Sequence, residues 1–451
     1  MKIHFIAIGG SAMHNLALAL HYKGYTITGS DDEIFDPARS RLASCGLLPE
    51  KLGWYPQKLT TDIDAVILGM HARGNNIELA RAKRLGLKIY SYPEFLYEQS
   101  KDKIRVVIGG SHGKTTITAM ILHVLRHAEV DCDYMVGAKL EGFDVMVRLS
   151  ENAPFMIFEG DEYLTSALDP RPKFHLYQPD IALISGIAWD HMNVFPTFDN
   201  YIEQFRVFAR MVPDNGSIIY CSEDPEVKTL VTNLDGKMLK QPYTVPDFTI
   251  RDGITLLHTT YGDVPLKVFG RHNLLNLEGA RLVCNLLEIS DQQFYKAIES
   301  YQGASNRLEK VAENEDRVIF RDFAHAPSKL KATIEAAKDQ YPDRKLIACY
   351  ELHTYSSLNC NFLNQYAGSM NAADEAIVYF SPHALELKKL PMLSTDAILQ
   401  AFEKADLIVF NDAKELENKI HSLPEKKFCL LMMSSGNFDG LNIRELGTKL
   451  I

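Results

Sequence analysis

Val106-Val107-Ile108-Gly109-Gly110-Ser111-His112-Gly113-Lys114-Thr115-Thr116 decides the fold of this chain. A β-branched run ends at two glycines, and Gly113-Lys114-Thr115-Thr116 then leads into the apolar run Ile117-Thr118-Ala119-Met120-Ile121-Leu122, which reads as helix. Strand, glycine turn and helix N-terminus in that order aim successive backbone N–H groups at an anion. Lys114 can reach the outer phosphates of a nucleotide, and the Thr115 hydroxyl can hold Mg²⁺. The general pattern has a glycine five residues before Gly113, where this chain has Ile108. A plain glycine-rich turn with a solvated lysine would explain the glycines but not the Lys-Thr-Thr that follows them. Gly110, Ser111, His112, Gly113, Lys114, Thr115 and Thr116 are therefore read as a nucleoside-triphosphate site.

The 451 residues are enough for about three ordinary domains. Apolar residues at 46% and charged residues at 24% suit a soluble globular chain. A net charge of −10 argues against nucleic acid as a partner, because anion binding must then come from local clusters. The seven cysteines are odd in number and contain no C-x-x-C pair, which points to a reducing compartment without a disulfide frame or structural zinc. The apolar N-terminus is broken by Gly9-Gly10, His14 and Asn15 before a signal-peptide core builds up. No window approaches 18 uninterrupted apolar residues, so no membrane span is expected. A cytoplasmic enzyme fits these bounds.

Upstream of the phosphate loop, residues 3–8 read as a strand, Gly9-Gly10-Ser11-Ala12-Met13 as a turn, and Leu16, Leu18 and Leu20 as part of a helix. Tyr25–Asp32 is a second strand with an acidic end, giving the outline of a dinucleotide or nucleotide-sugar domain. The glycine fingerprint is incomplete, which counts against a redox NAD site. Strand Ala65–Gly69 runs into Met70-His71-Ala72-Arg73-Gly74-Asn75-Asn76, a polar loop where open α/β sheets bind ligands. The charged run Glu98–Lys103 reads as a linker, so the first domain is placed at 1–101.

Downstream, Phe155–Phe158 ends in Glu159-Gly160-Asp161-Glu162, either divalent-metal ligands or an acid-rich helix N-terminus. Ile181–Ile187 leads to Asp190-His191, a site histidine or a satisfied polar one. Asn273, in Gly270-Arg271-His272-Asn273, can read a base edge or cap a helix. Gly303–Leu308 reads as a joint. Val318–Asp322 follows, with His325 three residues on and Pro327 opening a helix; further strands fall at 346–350, 375–380, 407–410 and 428–433. The predicted class is α/β with three domains: Rossmann-like at 1–101, a P-loop ATPase domain at 102–303 and Rossmann-like at 304–451.

Taken in order, Gly110–Thr116, Glu159-Gly160-Asp161-Glu162-Tyr163, Asp190-His191, His272-Asn273-Leu274-Leu275-Asn276, Asn306-Arg307-Leu308-Glu309 and Asp322-Phe323-Ala324-His325 resemble the Mur ligases, ATP-dependent amide-forming enzymes of peptidoglycan. The resemblance implies UDP-N-acetylmuramate on the first domain, near Gly9, Gly10, Ser11, Met13, Ser30, Asp31, His71 and Arg73. It implies ATP as cosubstrate on the phosphate loop, with Arg307 on the γ-phosphate, Asn273 on adenine, Asp322 on ribose and His325 close by. Thr115, Glu159 and His191 would hold Mg²⁺, and Lys114, Glu159, His191 and Arg307 would be catalytic. The third domain would take the amino-acid or peptide acceptor.

Two branches of the family share Gly9-Gly10 and Gly29-Ser30-Asp31. One adds L-alanine to UDP-N-acetylmuramate; the other attaches the tripeptide L-alanyl-γ-D-glutamyl-meso-diaminopimelate during recycling. Arg73-Gly74-Asn75, Asp169-Pro170-Arg171-Pro172-Lys173-Phe174 and Val194-Phe195-Pro196 look like the recycling branch, which is the expected reading. L-alanine addition is the alternative, and a non-catalytic nucleotide sensor is the rival from another class. Departures from the family pattern include Gly160, where alanine is usual, and Glu351-Leu352-His353-Thr354-Tyr355 and Ser434–Gly440 in the third domain.

Overall fold

The computed structural model describes residues 1–451 apart from 71, 139, 141, 144, 167–168, 190–193, 252, 305–306 and 424–426. His71, Asp190, His191 and Asn306 lie outside the described residues. Among the described residues the chain divides into two compact units. One holds Met1–Trp189, Asn193–Tyr243 and Gly279–Ile289; the other holds Thr244–Glu278 and Ser290–Ile451.

The first unit carries two sheets. β1 (Lys2–Ile6), β2 (Thr26–Ser30), β3 (Ala65–Leu68) and β4 (Ile89–Ser91) are all parallel, in the order β2-β1-β3-β4. Parallel strands covered on both faces need near-continuous apolar runs, and Ile3, Phe5, Ile6, Val66 and Ile67 are fully buried. The second sheet comprises β5 (Ile104–Gly109), β6 (Cys132–Met135), β7 (Val147–Arg148), β8 (Phe155–Glu159), β9 (Ile181–Ile184), β10 (Ser217–Cys221) and β11 (Leu239–Tyr243), ordered β11-β10-β9-β5-β8-β6-β7. Only the β6–β7 pair is antiparallel there. β5 lies between β8 and β9, so the phosphate loop leaves the sheet flanked by the residues after Glu159 and Ile184. That adjacency creates the site. Beneath it, Phe158 stacks on Tyr177 at 4.2 Å and Phe174 on Phe208 at 4.6 Å.

The charged run at 98–103 is pinned rather than loose. The Lys103 ammonium donates to buried Asp133 at 2.6 Å, and Arg105 donates to the carbonyls of Ser100, Lys101 and Lys103.

In the second unit β12 (Phe248–Arg251), β13 (Ile254–Thr259) and β14 (Gly262–Leu266) form an antiparallel meander. The larger sheet is built from β15 (Glu309–Glu313), β16 (Arg317–Asp322), β17 (Lys345–Leu352), β18 (Glu375–Phe380), β19 (Ile408–Phe410) and β20 (Phe428–Met433), in the order β15-β16-β20-β17-β18-β19. It is parallel except at β15–β16. Asp322, Leu352 and Met433 end neighbouring strands, so the loops after them emerge along one edge of this sheet.

Candidate active site

The turn between β5 and the helix Lys114–His127 is built on left-handed glycines: φ is +132° at Gly110 and +80° at Gly113, values that side chains rarely adopt. A Cβ on Gly110 would also collide with the Ser185 side chain. The loop is held from below, since Ser111 N–H donates to Gly186 O at 2.9 Å and Ser185 Oγ donates to His112 O. Lys114 and Thr115 thereby open the helix side by side.

The three acids at the end of β8 and just after it have different partners. Glu159 accepts the Thr115 hydroxyl at 2.6 Å on one oxygen and the Gly137 amide at 2.8 Å on the other. Asp161 accepts Lys173 Nζ at 2.6 Å. Glu162, almost fully buried, accepts Lys114 Nζ at 2.6 Å; the same ammonium donates to Gly110 O at 2.6 Å. Burial by itself would lower the Lys114 ammonium, but attraction from Glu162, Asp161 and Glu159 outweighs it and the pKa is raised. Burial likewise works against Asp161, yet Lys173 and Lys114 bring its pKa below the usual value. At Gly160 a Cβ would lie 2.9 Å from both Ile108 O and Val107 Cγ1, so a side chain there needs the neighbouring strand to shift.

Lys114, Glu159, Asp161, Lys173 and Tyr177 line a cavity of ≈ 360 Å³ together with Ser11 and Asn15 from the N-terminal strand-turn-helix. Among the described residues no three His, Cys, Asp or Glu side chains are placed to hold a metal ion by themselves. Mg²⁺ asks for less than that, taking one or two protein oxygens and filling its shell with phosphate and water. The Thr115 hydroxyl against the Glu159 carboxylate, at the mouth of a phosphate loop, is a donor set of that chemistry.

In the N-terminal part of this unit, Gly9 N–H donates to Asp31 Oδ2 at 2.6 Å. Burial, with Asp32 adding to it, raises the Asp31 pKa to about 6 against the partial offset of the Gly9 and Glu33 amides. Gly10 precedes the helix Ser11–Tyr22, in which Met13 is buried. Buried Ser30 ends β2 within 3.3 Å of Lys58 Nζ. Arg73 is exposed, in the turn before Asn76, which caps the next helix.

In the second unit Arg307 lies over the Phe323 ring at 4.6 Å. Asp322 accepts Leu308 N–H and Ala324 N–H, both at 2.7 Å. Burial raises its pKa, with Arg307 and the two amides offsetting part of the shift. Asn273 donates its side-chain amide to Phe269 O at 2.9 Å. His325 Nδ1 meets Phe323 O at 2.9 Å, and Lys329 Nζ lies 3.4 Å from its Nε2. The unassigned third-domain segments meet as well: Glu351, buried, accepts Ser434 Oγ–H and, at 2.9 Å, Phe438 N–H.

Sequence reading missed Lys173, Glu162 as the lysine's partner, and Tyr201, whose hydroxyl lies 2.9 Å from Ser111 Oγ and 3.1 Å from Glu162 Oε1. Lys173 carried a signal only as part of Asp169–Phe174; Tyr201 sits in an ordinary amphipathic helix and carried none.

Three family descriptions match in succession: the Mur ligase family catalytic domain over residues 2–103, the Mur ligase middle domain over 108–284 and the Mur ligase glutamate ligase domain over 306–436. The UDP-N-acetylmuramate–L-alanine ligase of Limosilactobacillus reuteri (strain DSM 20016) is 31% identical over 389 residues, covering 83% of this chain and 84% of the relative. A UDP-N-acetylmuramate–alanine ligase from Thermotoga maritima shares the fold with a TM-score of 0.69 at 21% identity, and a murein peptide ligase from Psychrobacter arcticus 273-4 shares it at 0.64 and 23%; each comparison covers 100% of this chain and 98% of the other. Fold and site thus define an ATP-dependent carboxylate–amine ligase made of three α/β domains. The chain belongs to the Mur ligase family.

Proposed function

We propose that this ligase joins L-alanine to UDP-N-acetylmuramate through an acyl phosphate, in the cytoplasm, as a step of peptidoglycan biosynthesis. The observation that carries the acceptor is the relative at 31% identity over most of both chains, whose name specifies L-alanine. In this reading residues 1–101 bind the UDP-sugar through Gly9, Gly10, Ser11, Met13, Ser30, Asp31, His71 and Arg73. Residues 102–303 hold ATP, and 304–451 present the acceptor.

The loop amides from Gly110 to Thr116 and the Lys114 ammonium bind the β- and γ-phosphates. Arg307 steadies the γ-phosphoryl group, Asn273 contacts adenine, Asp322 the ribose, and His325 completes the nucleotide site. Thr115, Glu159 and His191 would hold Mg²⁺, which would supply charge neutralisation for the phosphate and the sugar's carboxylate. Two anions must approach one another in surroundings of low dielectric, so fixed positive charge at Lys114 and Arg307 is what makes phosphoryl transfer to a carboxylate feasible. A neutral amine then attacks the acyl phosphate and phosphate leaves.

A second reading, the recycling reaction with the tripeptide L-alanyl-γ-D-glutamyl-meso-diaminopimelate, is favoured by one specific feature. The segment Asp169–Phe174, whose wording resembles that of the recycling branch, supplies the Lys173 that pairs with Asp161 on the cavity wall. Phosphate release from ATP with UDP-N-acetylmuramate, comparing L-alanine with the tripeptide, separates the two. Release with L-alanine supports the proposal; release with the tripeptide alone moves the chain to the recycling branch. No release with either sinks both.

A further inference from the structure

Tyr201 belongs to the helix Phe198–Arg210 and is fully buried, its ring packed 5.3 Å from Phe195 and 5.2 Å from Phe205. The proton directions around its hydroxyl follow from the chemistry of its neighbours. A carboxylate only accepts, so Tyr201 donates to Glu162 Oε1 at 3.1 Å. With that proton committed, the 2.9 Å contact to Ser111 Oγ has serine as donor, and Ser111 in turn accepts Ala188 N–H at 2.9 Å. The other oxygen of Glu162 accepts Lys114 Nζ at 2.6 Å. A directed chain therefore runs from Ala188, two residues before Asp190, through Ser111 and Tyr201 to Glu162, where the Lys114 ammonium donates from the other side.

Lys114 spends two of its three N–H donors on Glu162 and Gly110 O in this structure, so an ATP phosphate competes with the carboxylate for the ammonium. Glu162 is 1% exposed, and drawing the ammonium away from a buried carboxylate costs energy. A donor that stays on Glu162 reduces that cost. We propose that Tyr201 is a positioning residue: its hydroxyl keeps Glu162 satisfied when Lys114 departs, and so sets how readily the lysine transfers from Glu162 to the phosphates of ATP. The proposal rests on ATP using the Gly110–Thr116 loop and is independent of which acceptor the ligase takes.

ATP binding measured by calorimetry without sugar or acceptor tests it, alongside steady-state kinetics. Tyr201→Phe keeps the ring and its packing and removes only the hydroxyl. The expected result is an ATP Kd weakened about tenfold. KM for ATP should rise in step while kcat stays within about twofold, the pattern of an interaction released equally in the bound state and the transition state. Glu162→Gln removes the charge that competes for Lys114, so this variant should bind ATP at least as tightly as wild type. In that background Tyr201→Phe should have no further effect. Unchanged ATP affinity in Tyr201→Phe, or a full effect persisting in the double variant, overturns the proposal. A wild-type protein that binds ATP yet releases no phosphate with any acceptor refutes the ligase reaction instead and leaves this assignment standing.

Discussion

Strand-end carboxylates occur in both units of this ligase, and their partners differ. At the end of β8 and just after it, Glu159 and Glu162 are met by a threonine hydroxyl, a glycine amide, a tyrosine hydroxyl and the Lys114 ammonium. At the ends of β16 and β17, Asp322 is bound by two backbone amides and Glu351 by one, with Ser434 added. Side-chain partners can exchange for a phosphate or a metal ion without unravelling the chain. Backbone amides are fixed by the loops that carry them, so removing such a carboxylate removes the loop's anchor. The first set has mostly exchangeable partners and the second anchors loops, although in sequence both read as acids at the carboxyl ends of strands.

The sharpest way to break that contrast is at Lys114. Lys114→Ala should reduce ATP turnover about 10³-fold, the scale of losing a cation aimed at transition-state charge, with the far-ultraviolet spectrum near wild type and a lowered thermal midpoint because buried Glu162 loses the ammonium. Near-normal turnover would remove the nucleotide role from the loop. Glu159→Gln should shift the Mg²⁺ concentration for half-maximal activity upward by about 10–100-fold; an identical titration would reduce Glu159 to a clamp on Gly137 and Thr115.

Asp322→Asn examines the other side of the comparison. An asparagine offers one acceptor oxygen where Asp322 serves two amides, so the variant should lose about 1–3 kcal/mol of stability in denaturant titration. A large rise in KM for ATP at unchanged stability would instead make Asp322 a nucleotide contact first. The smallest effect is expected at Asp31. Its folded pKa of about 6 lies above its ordinary 3.8. Between those values the native state binds more protons than the unfolded chain, and the associated stability is lost as pH rises through about 6. Asp31→Asn lacks this titration and keeps an oxygen for the Gly9 amide. Measured against wild type, it should gain about 1–2 kcal/mol on going from pH 4 to pH 7; parallel pH profiles would show that Asp31 does not titrate there.

Much of the fold was legible because buried parallel strands must be almost wholly apolar: β1, β3, β8, β9, β17, β18 and β20 all announce themselves in this way. β11, Leu239-Lys240-Gln241-Pro242-Tyr243, does not. It is a polar edge strand, and an edge is where a proline is tolerated. The meander at 248–266 was missed for a related reason, its strands being short and half exposed, with Pro265 on the edge strand β14. At the site, the Gly-Lys-Thr-Thr run and the acid cluster were legible because backbone geometry and charge chemistry restrict which residues can stand there. Tyr201 and Lys173 were not, since a tyrosine in an amphipathic helix and a lysine in a polar loop suit many environments.

From the amino-acid order alone came the glycine turn before Lys114, the succession of α/β units and the family, because each rests on local constraints: glycine conformations, apolar runs and residue types at short spacing. Only the tertiary structure decided which acid faces which partner. Glu162 meets Lys114 across 48 positions of chain and Tyr201 across 39, and Glu351 meets Phe438 across 87. Those pairings depend on β5 lying between β8 and β9 and on β20 inserting between β16 and β17. Strand order is set by the packing of the whole sheet, so no single stretch of sequence encodes it.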